Sequence, residues 1–182
     1  MGRVPAGQNA HFGRLCRKDR YDVGKELFFC DRDHLALLQA ATLAANADWT
    51  NALREISSIT GFWNNEGRIL AGLILGHNGQ IDRACAMLTE VKFDTLAHQQ
   101  WSNYLDAMLA ANMFEQAIAF CEMNMQNPRA RAGVPLRYGR ALLRVGRFSE
   151  AKKCFQNIAD ERPQAINVTQ ELSKIDSRCD EK

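Results

Sequence analysis

The chain has 182 residues, 46% of them hydrophobic and 24% charged, with 23 Lys+Arg against 21 Asp+Glu. That is ordinary for a globular chain able to bury a sizeable core, and a formal charge of +2 excludes a general pull toward nucleic acid or acidic membranes. No apolar run nears the roughly 18–20 residues of a membrane span; the longest candidate, Ile69–Gly76, falls far short.

Residues 1–9 are polar, contain Gly and Pro, and are expected to be loose. They lack the apolar core of a secretory signal, and Ala6 stands where a myristoylation pattern wants Ser or Thr. Over 10–31, Tyr21, Gly24 and Phe28 suggest the second helix of a degenerate hairpin, with Gly13 as the small residue of its first.

Asp31-Arg32-Asp33 then predicts a cap for a helix over about His34–Asn46, rich in Ala and Leu. Ala47-Asp48 predicts a turn, and Trp49 opens a partner helix to about Ile59. The next hairpin is expected over Glu66–His77 and Ile81–Val91, turning at Asn78-Gly79. A third runs from about Leu96 to Ala111 and from Phe114 to Met125. There Asn112 replaces the turn glycine, since Asn tolerates the left-handed conformation better than most residues.

The clearest copy lies between Pro135 and Pro163, with Gly139, Gly146, Phe148, Ala151, Phe155 and Ile158 at helical spacing around the turn. Gln164–Ser177 reads as a lone amphipathic helix with Ile166, Leu172 and Ile175 on one stripe, a cap for the last apolar face. Residues 179–182 are a polar tail. No alternating run bounded by turns predicts a strand.

Ala52, Ala84, Ala117 and Ala151 anchor the four copies, so the interval is 32 to 34 residues, within the range that marks solenoids. The pattern resembles the tetratricopeptide (TPR) repeat over about Asp33–Pro163, most strongly in the last copy. The expected fold is all-α: a right-handed α-α superhelix, a TPR-like solenoid of antiparallel hairpins. One domain over 10–178 would hold hairpins at about 33–61, 65–94, 98–128 and 132–163, with the cap helix over 164–177.

The resemblance implies a concave face lined by first helices. Projected onto this sequence, its partner-binding positions are Leu37, Leu38, Ala41, Ile69, Leu70, Leu73, His77, Asn103, Asp106, Arg137, Arg140 and Arg144. The groove would be apolar at its start, amide and acidic in the middle, and basic at its end. Arg137, Arg140 and Arg144 share one helix face and could hold carboxylates. The expected function is a non-enzymatic protein-binding module, an adaptor, scaffold or chaperone, taking an apolar and partly acidic segment. The plainer alternative makes the arginines a solvated face and the leucines packing between repeats. The Lys and Asn clamp of carboxylate-binding TPR proteins is missing, with Leu37, Ala41, Leu70, Ser102 and Arg137 in its place.

The related pentatricopeptide repeats offer an RNA-binding alternative, but of Leu38, Leu70, Asn103 and Arg137 only Asn103 suits a base-reading position. Self-association through Trp63, or a role as the TPR segment of a larger enzyme or scaffold, is a third reading. Catalysis has little support. The histidines, His11, His34, His77 and His98, form no H-E-x-x-H, and neither G-x-S-x-G nor a phosphate loop is present. Cys16, Cys30, Cys85, Cys121, Cys154 and Cys179 form no C-x-x-C, which predicts reduced, mostly buried thiols in a cytoplasmic protein, without metal or cofactor. Nucleic acid and membrane are not expected partners.

Overall fold

The computed structural model describes residues 32–60, 63–97, 100–127, 133–161 and 166–179. Among them every regular element is a helix and no strand occurs, so the chain is all-α there. The helices are α1 (Arg32–Ala45), α2 (Trp49–Ser57), α3 (Asn64–His77), α4 (Ile81–Thr89), α5 (Trp101–Ala110), α6 (Phe114–Asn124), α7 (Val134–Arg144), α8 (Phe148–Glu161) and α9 (Ile166–Cys179). Two compact units divide between Thr95 and Leu96, the first holding α1–α4 and the second α5–α9. The hairpin expected over 10–31 lies outside the described residues, as do Gly61, His98, Pro128 and Pro163.

Four joints repeat one backbone solution. Ala47, Gly79, Asn112 and Gly146 all adopt positive φ, at 61°, 74°, 58° and 82°. The residue after each donates its N–H five residues back along the turn: Asp48 to Leu43, Gln80 to Leu75, Met113 to Met108 and Arg147 to Leu142, each at 2.9 Å. The positive-φ residues themselves donate to Ala44, Gly76, Leu109 and Leu143. This pair of bonds closes the carbonyls that a helix end leaves open, and the chain reverses into the next helix. Two of the four positions are not glycine, so the hairpin geometry is held where the residue itself resists it.

Each reversal puts the anchoring alanine in the same place. Ala52, Ala84, Ala117 and Ala151 are all buried. Their N–H groups bond Asp48, Gln80, Met113 and Arg147, each at 3.0 Å. Close approach of the paired helices is set by small residues on the first helix. A Cβ placed on Gly72 of α3 would meet Leu88 of α4 at 2.7 Å, and one on Gly139 of α7 would meet Phe155 of α8 at 2.7 Å. The corresponding pair in the third hairpin is Leu105 and Cys121, both fully buried. There the large residue has moved to the first helix and the small one to the second, which accounts for Leu105 at a position that otherwise takes a small residue.

Boundaries shift where polar groups close the backbone early. The third hairpin's first helix begins at Trp101, not near Leu96. A 3-10 turn occupies Phe93–Thr95, Asn65 donates to the Thr95 hydroxyl at 2.8 Å, and the Gln100 side chain accepts from the Ala97 N–H at 2.9 Å. Asp33 lies inside α1, where its carboxylate accepts the Thr60 N–H at 3.1 Å. In α9 the buried stripe is Val168, Glu171 and Ile175, while Leu172 is only half-buried. The expected stripe therefore holds only at Ile175 among the side chains described there.

Candidate functional site

In the first unit the apolar positions projected onto an open face are largely closed. Ala41, Ile69, Leu70 and Leu73 are all at most 3% exposed. Leu37, Leu38 and His77 are half-buried. The expectation that the first four are open to a partner is corrected: they belong to the core. The first helices α1 and α3 pack against one another as well as against their partners. A residue on their facing sides is covered by the neighbour, whatever its place in the hairpin.

The second unit corrects the projection at two more positions. Asp106 of α5 and Arg137 of α7 are 8% and 5% exposed, so neither is available to a ligand. They form a forked ion pair. Arg137 Nε donates to Asp106 Oδ1 at 3.0 Å, and Nη2 donates to Oδ2. The single Nε hydrogen is shared with the Ser102 carbonyl, 3.1 Å away, and Nη1 donates to the Gly133 carbonyl at 3.1 Å. Two charges removed from water are tolerable only with such complete hydrogen bonding. Gly133 makes the approach possible, because a Cβ there would lie 1.8 Å from Ser102 Oγ.

The other two arginines are engaged differently. Arg140 Nε donates to Glu171 Oε1 of α9 at 3.1 Å, with the arginine side chain 30% exposed. Arg144 is exposed and its guanidinium lies 4.8 Å from the centre of the Phe114 ring of α6. Asn103 is half-buried. The three arginines do share one helix, but they do not form one open cluster.

Both ion pairs join residues 31 apart, Asp106 to Arg137 and Arg140 to Glu171. Arg140 occupies in α7 the position that Asp106 occupies in α5, 34 residues earlier, so the polarity reverses from one joint to the next. Glu171 was missed from the sequence. A search for opposite charges at a fixed interval near the repeat length would have found it.

In the same frame Ala41 corresponds to Asp106, and Leu70 to Arg137. Both apolar residues are buried. One joint position is therefore hydrophobic in the first unit and ionic in the second. The base-reading positions of the RNA alternative fare no better, since Leu70 and Arg137 are closed. Trp63 is half-buried and stacks on His34, with ring centres 4.5 Å apart and planes 14° apart.

Cys121 and Cys154 lie beside the start of α7, their Sγ atoms 3.9 Å and 3.3 Å from the carbonyls of Val134 and Pro135. Burial, aided by the neighbouring Cys154, pushes the Cys121 thiol up to about 12. Burial likewise raises Cys154, to about 11. Both are packing thiols rather than nucleophiles at neutral pH. Among the described residues no group of three His, Cys, Asp or Glu side chains could hold a metal ion, and no helix is long and apolar enough to cross a membrane. In comparisons with protein-family models, curated proteins and solved structures, nothing matches this chain.

Proposed function

We propose that the chain is a non-enzymatic protein-binding module, a TPR-like right-handed superhelix that recognises a partner with the exposed side chains of its first helices. The observation that carries this reading is the shared hairpin: four copies with one positive-φ joint and one buried alanine. Hairpins of one frame bury their stripes only by stacking, and stacked hairpins present their first helices as an extended surface. The buried residues of that set act as packing, which leaves a smaller recognition set than the sequence projection. Arg144, Arg140 and Asn103 address polar or acidic groups of the partner, and Leu37, Leu38 and His77 add half-buried apolar contact.

Capture from a cell lysate on the immobilised chain, followed by mass spectrometry, tests the reading when wild type and Arg144→Glu are run side by side. A protein retained by the wild type and lost from the variant supports it. An identical set on both removes the basic surface from the proposal, and nothing retained above a bare-resin control removes the binding module altogether. Arg144 is exposed, so the variant leaves the core of the second unit undisturbed.

A further inference from the structure

Helix α1 carries a face whose counterparts in α3 and α7 are buried, while at α5 they are Gln100 and Asn103, half-buried, and Ala107, buried. Leu35 is 46% exposed, Leu38 is half-buried and Thr42 is exposed. Thirty-two residues on, in α3, the same positions are Gly67, Leu70 and Ile74, all buried. In α7 they are Val134, Arg137 and Ala141, buried again. A shallow cleft of about 540 Å³ between α1 and α2, lined by Leu38, Thr42, Leu43 and Arg54, opens on this face.

What covers the counterparts is the second helix of the preceding hairpin. A Cβ built on Gly67 would meet Ile59 Cδ1 at 3.3 Å and Ile56 Cγ2 at 3.5 Å, both from the hairpin before it. At the start of α7, Cys121 of α6 sits with its Sγ 3.9 Å from the Val134 carbonyl. Ile56 and Cys121 are the same repeat position, four residues after the anchoring Ala52 and Ala117. One residue of α2 and one of α6 thus lie against the first residue of the next helix's face.

Upstream of α1 the sequence repeats this motif. Tyr21, Gly24 and Phe28 have the spacing of Trp49, Ala52 and Ile56, so Phe28 takes the place of Ile56 and Leu35 that of Gly67. We infer that the Leu35–Leu38–Thr42 face is the docking site of the chain's own residues 10–30, with Phe28 seated on Leu35. The link is short but sufficient. Phe28 to Leu35 is 7 residues, against 11 from Ile56 to Gly67 and 13 from Cys121 to Val134. The difference of four is about one helical turn; four residues separate Phe28 from the start of α1 at Arg32, and four residues can span roughly 13 Å when extended. The inference meets the partner-binding reading at one residue: docking of residues 10–30 covers Leu38 and leaves Leu37 and His77 as the half-buried contacts of that reading.

Hydrogen exchange of the α1 amides in the full chain tests it, with Phe28→Ser, Leu35→Ser and the pair compared with wild type. Each single variant is expected to speed exchange in α1 several-fold, and the pair to speed it no further than the larger single effect. Leu35 is exposed among the described residues, so its replacement spares the core of the unit. Wild-type exchange in Phe28→Ser, or effects that multiply in the pair, would overturn the inference. Sedimentation supplies a second arm: a wild-type dimer that Leu35→Ser dissociates would assign the face to a second copy and overturn it equally.

Discussion

Arg137 grips Asp106 with two parallel hydrogen bonds from one first helix to the next, and both side chains are buried. The equivalent positions in the first unit, Ala41 and Leu70, are buried and apolar. The chain therefore holds two answers to one packing problem, and each can be tested against the other.

Removing one charge strands the other. Asp106→Ala is expected to destabilise the second unit by about 3–5 kcal/mol, because Arg137 is left buried without its counter-ion. Asp106→Ala with Arg137→Leu imports the first unit's pair and should recover most of that loss. Urea unfolding of both variants decides it; a double variant no more stable than the single one refutes the equivalence.

Ala47 is the one alanine among the four positive-φ joints, at φ 61°. A left-handed L-residue other than Gly or Asn costs roughly 1–2 kcal/mol, and Gly loses part of that gain to unfolded-state entropy. Ala47→Gly should therefore stabilise the first unit by about 0.5–1 kcal/mol. Gly146→Ala, at φ 82° with no atom within 4 Å of the added Cβ, should lose a similar amount through backbone strain alone. Thermal midpoints moving in opposite directions are the expected result.

Gly139 fails for a different reason. Its added methyl would meet the fully buried Phe155 ring at 2.7 Å. Overpacking costs about 1–3 kcal/mol and outweighs the gain of about 1 kcal/mol in helix propensity. Gly139→Ala is thus expected to be destabilising by about 1 kcal/mol, and Phe155→Leu in the same chain to relieve it. Equal stability of Gly139→Ala and wild type would show that the ring moves aside.

The Cys121 thiol is raised from 9.0 to about 12 by burial, so the folded state holds its proton where the unfolded chain has lost it. Below pH 9 the group has no effect on stability differences with pH. As pH rises above the unfolded value, the unfolded state binds fewer protons and stability falls, continuing until the folded value is reached. By pH 10 the loss is about 1 kcal/mol. Cys121→Ala should lower stability at neutral pH through the lost packing yet lose less between pH 9 and 10. Parallel pH profiles for the two chains would contradict this.

The hairpins were legible in the sequence because their causes are local. Gly79, Gly146 and Asn112 mark joints through backbone preference, and the spacing around Ala84 and Ala151 marks faces that must be covered. Even the odd placement of Leu105 becomes regular once Cys121 is read beside it. The tertiary structure alone decided which first-helix residues meet solvent. One residue turns the helix by about 100°, so a shift of a single position separates a side chain facing a neighbouring helix from one facing outward. Ile69, Leu70 and Arg137 went to the neighbour, and Arg144 remained outside. That outcome depends on how each pair of helices is rotated against the next, which is set by packing between residues some 31 positions apart and by no local preference.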